Sequence, residues 1–252
     1  MLLKRINMNK EKEWISDWFG YKRHISTLHE PEQPCEEEIK WFKWIVEELK
    51  KNSNIVLYEI GSGYGPWSMA LSSLRNGKGY ECIAVEANPD YVKLTQEHLE
   101  SQKINCTIID SAISDHNGTC RFNTDYIPFG QSITLTGRIK GSRILGILWG
   151  IMHIATRHTT RVNMETLDSL SFRIRKKQID ILQMDIQGSE VKAIKGAKEL
   201  ICYEQIKYIM IGTHHKSINV ELSKILSEKY INLCDILPRH GKDGLQVWKL
   251  KK

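Results

Sequence analysis

From residue 54 to residue 211, short apolar runs alternate with stretches of helical period. "NIVLYEI" (54–60), "CIAVE" (82–86), "NCTIID" (105–110), "IDILQMD" (179–185) and "IKYIMI" (206–211) are rich in β-branched residues and lack regular polar alternation. Such runs fit strands buried on both faces of a parallel sheet. Helices are predicted between them, over 66–75, 89–101, 165–176 and 188–202. Pro66 and Pro89 stand where a helix begins, the second behind Asn88 as N-cap. Strand–helix alternation of this kind implies an open, doubly wound α/β sheet. Near the end, "KYINLCDIL" and "LQVWKLKK" flank "PRHGKDG", and an antiparallel hairpin is expected to close one sheet edge.

The first fifty residues lie outside this alternation and are expected to be helical. In "PCEEEIKWFKWIVEELKK", Pro34 sits in the first turn, Glu36, Glu37 and Glu38 follow, and lysines end the stretch. Both ends therefore suit the helix dipole. Ile39, Phe42, Ile45, Val46 and Leu49 form an inward stripe at helical spacing. The expected organisation is an N-terminal helical cap or lid over 1–52 and an α/β domain over 53–252, with a basic and apolar insert at about 126–161.

Composition changes this picture little. With 41% hydrophobic and 26% charged residues, the 252-residue chain reads as an ordinary globular protein. Six scattered cysteines show no CxxC or metal-ligand spacing and are read as reduced thiols. With no apolar core of signal-peptide length near the start, a cytoplasmic location is expected. The net charge of +6 is unevenly placed: no acid occurs between Asp125 and Glu165, a window holding Arg138, Lys140, Arg143, Arg157 and Arg161. Such a field attracts phosphates or an anionic surface, although a basic loop that only aids solubility is the plainer reading.

The candidate chemistry begins at "YEIGSGYGPWSMA". A strand ending in Glu59, then Gly61, Ser62, Gly63 and Gly65, then a helix, exposes bare backbone at the carboxyl edge of the sheet, where open α/β folds bind ligands. The dinucleotide fingerprint needs G-x-G-x-x-G, but Pro66 holds the sixth position. The spacing G-x-G-x-G, with an acid two residues earlier, resembles the S-adenosylmethionine loop, which would make Glu59 a contact to the cofactor's ammonium group. Glu86 ends the next strand, followed by Ala87, and its carboxylate can accept from both ribose hydroxyls in either class of nucleotide fold. Ser111 and Ala112 fall where an adenine edge would rest, and Asp185 ends the fourth strand.

"YEIGSGYG", "VEANP", "SAISDHNGTCRF", "METLDSL" and "LQMDIQGSEVKAIKGA" occur in the order seen in FkbM-family methyltransferases, which the chain resembles over roughly residues 54–215. The resemblance implies a Rossmann-like class I methyltransferase fold: a mostly parallel sheet with a C-terminal antiparallel hairpin, here preceded by N-terminal helices. It also implies S-adenosylmethionine and O-methylation, commonly of sugars or polyketide-type products. One departure is "DIQG" where the family usually has D-V-E-G, so Gln187 is neutral.

Methyl transfer to oxygen is an in-line displacement that needs alignment and a proton acceptor. His214 is expected as base, with Asp185 orienting it or contacting cofactor and substrate; histidine titrates near neutrality. Gln131, Ser132, His215 and His240 are candidate acceptor contacts, with Asp243 and Gln246 near the last of these. His24, His29 and Glu30 would belong to a lid. Asp185, His214 and His215 could offer donors to a divalent metal, but no ligand-spacing signature supports one, so no metal ligand is assigned. The acceptor is expected to be a small molecule or glycan, with a phosphate- or lipid-linked one suggested by the basic window. The apolar stretch 144–155 is too short to span a bilayer and is read first as a buried or dimer-interface helix, second as a peripheral membrane contact. Rival readings are an NAD-dependent oxidoreductase, an RNA methyltransferase and a cofactor-binding protein without catalysis. Neither a base-methylation motif nor interleaved aromatics accompany the basic window, so no nucleic-acid partner is expected.

Overall fold

A computed structural model describes residues 14–16, 22–24, 35–123, 159–239 and 242–252. Its centre is a seven-stranded sheet of β3 (Ile55–Ile60), β4 (Tyr80–Glu86), β5 (Cys106–Asp110), β9 (Ile179–Met184), β10 (Ile206–Thr213), β11 (Tyr230–Ile236) and β12 (Gly244–Leu250). The spatial order is β11-β12-β10-β9-β3-β4-β5. All five of the predicted apolar runs are strands that pair in parallel.

Period-two alternation is hidden in these runs because both faces are covered. Leu57, Ile181 and Met210 point into one core with Phe42, Ile45 and Trp67. Their neighbours Tyr58, Leu182 and Ile209 point into the other, with Leu170, Ile194 and Leu222. Each face is sealed by helices: α1 (Glu36–Glu48), α2 (Pro66–Leu74), α3 (Pro89–Ser101), α4 (Leu167–Arg173), α5 (Glu190–Lys195), α6 (Lys198–Cys202) and α7 (Lys216–Leu226). Asn88 caps α3 by accepting from Asp90 N at 3.0 Å, as expected of that residue type.

The C-terminal hairpin closes one sheet edge as expected, with β12 between β10 and β11 and antiparallel to both. The more apolar strand takes the interior place, since Gly244 to Trp248 are all buried whereas β11 buries only Tyr230. The predicted helix over 188–202 breaks into α5 and α6 at Gly196, where a Cβ would lie 2.1 Å from the Ser114 carbonyl oxygen. The N-terminal region is not wholly helical. It holds a short antiparallel pair, β1 (Trp14–Ser16) and β2 (Lys22–His24), before α1. Helix α1 buries Phe42, Ile45 and Val46 in the same core as α2.

A second, three-stranded sheet, β6 (Ala112–Ile113), β8 (Thr159–Glu165) and β7 (Gly118–Asn123) in that order, brackets the insert. The insert itself, with Gln131, Ser132 and the stretch 144–155, lies outside the described residues, as do His29, Glu30 and His240. Among the described residues, no helix is long and apolar enough to cross a membrane. All six cysteines are free.

Candidate active site

Register places the ends of five parallel strands in line. Ile60 pairs with Val85 and Met184, Glu86 with Asp110, and Met184 with Ile211. The loop after β3 turns on Gly61, Gly63 and Gly65, with φ of +77°, +55° and +83°. Gly61 is needed twice over: its conformation favours glycine, and a Cβ would lie 2.0 Å from the Asp185 carbonyl oxygen. Among the described residues a Cβ on Gly63 would meet nothing within 4 Å, so this part of the backbone borders open space there.

Glu59 is fully buried beneath that loop. One carboxylate oxygen accepts from Trp67 N at 2.9 Å, and the other from Ser68 N at 2.9 Å and Ser68 Oγ at 2.5 Å. It therefore satisfies donors at the start of α2, where the side-chain cap is otherwise missing because Gly65 is the N-cap. Burial pushes its carboxyl up to about 7, against the opposing pull of those hydrogen bonds. As placed, Glu59 braces the loop from inside.

Glu86 ties the loop to the next strand. Its Oε2 accepts from Gly63 N at 2.8 Å, while Oε1 accepts from Ala87 N and Asn88 N, each at 2.8 Å. Thr95 Oγ1 donates to Gly63 O at 2.6 Å, fixing the next peptide of the loop. Ser62, with its Oγ lacking a hydrogen-bond partner among the described residues, is buried in the loop. Ser111 N donates to Glu86 O at 3.0 Å, and Ser111 and Ala112 are both buried.

Across the loop lies a cluster of ionisable groups. Asp185 follows β9, and its N–H donates to Ile60 O at 2.9 Å. His214 follows β10, with Nδ1 2.9 Å from Glu190 Oε1 and Nε2 3.2 Å from Asp185 Oδ1. Nε2 is also 3.7 Å from Asp243 Oδ1. Asp243 arrives because β12 runs antiparallel: Thr213 pairs with Gly244, so the start of β12 meets the end of β10. Burial alone would lower the His214 pKa, but contacts with Asp185 and Glu190 and their charges outweigh it and push it up to about 11. Gln187 Nε2 stands 3.5 Å from Asp185 Oδ1, so the neutral residue of "DIQG" touches the cluster as a weak donor.

Of the other predicted contacts, His215 is exposed and begins α7 through its carbonyl, which accepts from Ile218 N at 2.9 Å. Gln246 points inward instead, its amide donating to Asn219 O, Ser223 Oγ and Asp235 Oδ1. Two acids of the cluster had no role assigned from sequence. Glu190 is fully buried on the inward stripe of α5 with Ala193 and Ile194, and an acid at helical spacing within an apolar stripe was the available signal. Glu38 stands in the first turn of α1. It does accept from Cys35 N at 2.7 Å, but burial and the nearby Asp185 and Asp243 charges push it up to about 7.

The family described as Methyltransferase FkbM domain matches residues 56–242, most of the chain and all of the elements above from β3 to β11. The chain belongs to the FkbM methyltransferase family. A "Putative methyltransferase" of Jannaschia sp. (strain CCS1) is 26% identical over 204 residues, covering 75% of this chain and 67% of that one. The crystal structure of Methyltransferase FkbM from Methylobacillus flagellatus KT superposes with a TM-score of 0.53 at 16% identity, covering 78% of this chain. This chain spans only 44% of the length of that one. Parallel core, inserted antiparallel strand and flanking helices are thus the class I methyltransferase fold, as the resemblance implied. In this FkbM methyltransferase the glycine loop, Glu86, Ser111 and Asp185 share one sheet edge, and His214 and Asp243 join them there.

Proposed function

We propose that this methyltransferase uses S-adenosylmethionine to methylate a hydroxyl of a saccharide or of a glycan or natural-product intermediate. The observation that carries the reading is the carboxylate–imidazole cluster beside the glycine loop: Asp185 O sits against Gly61, while the Asp185 side chain faces His214. A hydroxyl oxygen must lose a proton as it is methylated, so an acceptor of that kind needs such a cluster within reach.

The residues present fit the cofactor. Gly63 borders open space and Ser62 keeps a buried Oγ without a partner among the described residues. S-adenosylmethionine, when bound, supplies a methyl group already activated on a sulfonium. The chain's own tasks are then to align the acceptor and take its proton. We assign the receiving atom to the Asp185 carboxylate, which is more exposed than His214, 25% against 12%. His214 Nε2, 3.2 Å from Asp185 Oδ1, positions that carboxylate. Glu59 holds the loop through α2 rather than meeting the cofactor's ammonium group.

Incubation with S-adenosylmethionine and hydroxylated acceptors (free sugars, nucleotide-linked sugars and lipid-linked saccharides) should yield S-adenosylhomocysteine and an O-methyl resonance by NMR. Methylation on nitrogen or carbon alone, or no turnover with any hydroxylated acceptor while an RNA substrate is methylated, would refute the reading.

A further inference from the structure

We propose that His214 Nε2 and the carboxylates of Asp185 and Asp243 form a site for one divalent transition cation, with Glu190 orienting the imidazole from behind. This deepens the reading above by giving the same cluster a resident ion, but cation binding itself does not depend on which acceptor is methylated.

Geometry comes first. Ligands bonded at about 2.0–2.2 Å to one ion stand roughly 3.0–3.6 Å from one another. Nε2 lies 3.2 Å from Asp185 Oδ1 and 3.7 Å from Asp243 Oδ1, close to that spacing. Donor atoms of Asp185, Glu190 and His214 all fall within 4.8 Å of one another. On the far side of the ring, Nδ1 is 2.9 Å from Glu190 Oε1. A carboxylate on one nitrogen with the other facing outward is the arrangement that fixes a metal-binding histidine's tautomer and orientation.

Two atoms show that the cluster is incomplete. His214 Nε2 is enclosed and lacks a hydrogen-bond partner among the described residues, for Asp185 Oδ1 is near but not aligned. Glu190 is completely buried, and its Oε2 likewise has no partner among the described residues. Buried polar atoms rarely remain so, because each costs the desolvation it has not recovered. Charge points the same way: Asp185, Glu190 and Asp243, with Glu38 nearby, converge on a single imidazole. A mixed nitrogen and carboxylate set favours Mn2+, Fe2+ or Zn2+ over Ca2+. A cation there would also ease proton loss from an adjacent hydroxyl, reducing what is asked of Asp185 as a base.

The test is titration of the full chain, freed of metal with chelator, by Mn2+ followed by electron paramagnetic resonance and by isothermal calorimetry, without cofactor or acceptor. One ion should bind per chain. Asp185→Asn should weaken binding at least tenfold, and Asp243→Asn several-fold. Asp243 is half exposed, so the Asp243→Asn protein should unfold at the wild-type midpoint, which separates lost binding from lost fold. His215→Gln should bind as wild type does. Absence of stoichiometric binding, wild-type affinity in both Asp variants, or loss of binding in His215→Gln would overturn the site. Stoichiometric binding without methyl transfer would instead refute the functional reading, and methyl transfer unaffected by chelator would remove the ion's role in it.

Discussion

The sharpest test of the loop architecture is a pair of substitutions two residues apart. Gly61→Ala and Gly63→Ala both force alanine into positive φ, at +77° and +55°. That alone costs about 1–2 kcal/mol at each position. Only at Gly61 does the new methyl also collide, since its Cβ would lie 2.0 Å from Asp185 O and 2.9 Å from Ile186 Cγ2. The first neighbour is backbone at the end of β9, so relief requires the strand ends to part by more than about 1 Å, adding the 1–3 kcal/mol typical of overpacking. Gly61→Ala should therefore destabilise by about 2–5 kcal/mol and Gly63→Ala by about 1–2 kcal/mol. Urea unfolding followed by tryptophan fluorescence measures the difference, with Trp67 buried next to the loop as a reporter. Binding should separate differently. Gly63→Ala places a methyl in the open space of the proposed cofactor cradle, so S-adenosylhomocysteine affinity should fall at least tenfold with little loss of stability. Equal unfolding midpoints for the two variants, or full affinity in Gly63→Ala, would refute the reasoning.

Glu59 gives a pH-dependent expectation. Its folded pKa of about 7 lies above the ordinary 4.5, so the fold favours the protonated form. That contribution is whole below about pH 4.5 and lost by about pH 7, which should cost wild type about 2 kcal/mol between pH 5 and 8. Glu59→Gln removes one acceptor at α2 but cannot ionise, so its deficit of about 1–3 kcal/mol at pH 5 should shrink or reverse at pH 8; a deficit independent of pH in urea unfolding would contradict this. His214→Gln should lower stability by about 3–5 kcal/mol at neutral pH, because Asp185 and Glu190 lose their counter-charge, and calorimetric unfolding in metal-free buffer would measure it. By contrast Glu81→Gln, which breaks the exposed pair with Lys176 at 2.9 Å, should change stability by less than about 1 kcal/mol in the same assay.

The parallel sheet was legible because strands buried on both faces must be nearly continuous apolar runs, and "NIVLYEI" or "IKYIMI" admit few other readings. Asn88 and the glycine loop were legible too, since caps and positive-φ turns demand particular residue types. Insertion of β12 was not, because it turns on which strand of a hairpin buries more surface against β10, a comparison between distant segments. The site divides in the same way. Local sequence marked Gly61, Glu86, Asp185 and His214 as ends of strands. Glu38, Glu190 and Asp243 come from a helix start, a helix stripe and the beginning of an antiparallel strand, and only packing brings Glu190 and Asp243 to the imidazole and Glu38 near Asp185 and Asp243. Burial and the neighbouring carboxylate charges raise the proton affinities of Glu38 and Asp243 there, because a shift depends on burial and on charges within a few ångströms. Sequence alone therefore determined the sheet, its loop and the family. Tertiary structure decided that His214 lies among carboxylates and that Glu59 serves the loop from within, because charge and burial are properties of neighbours in space.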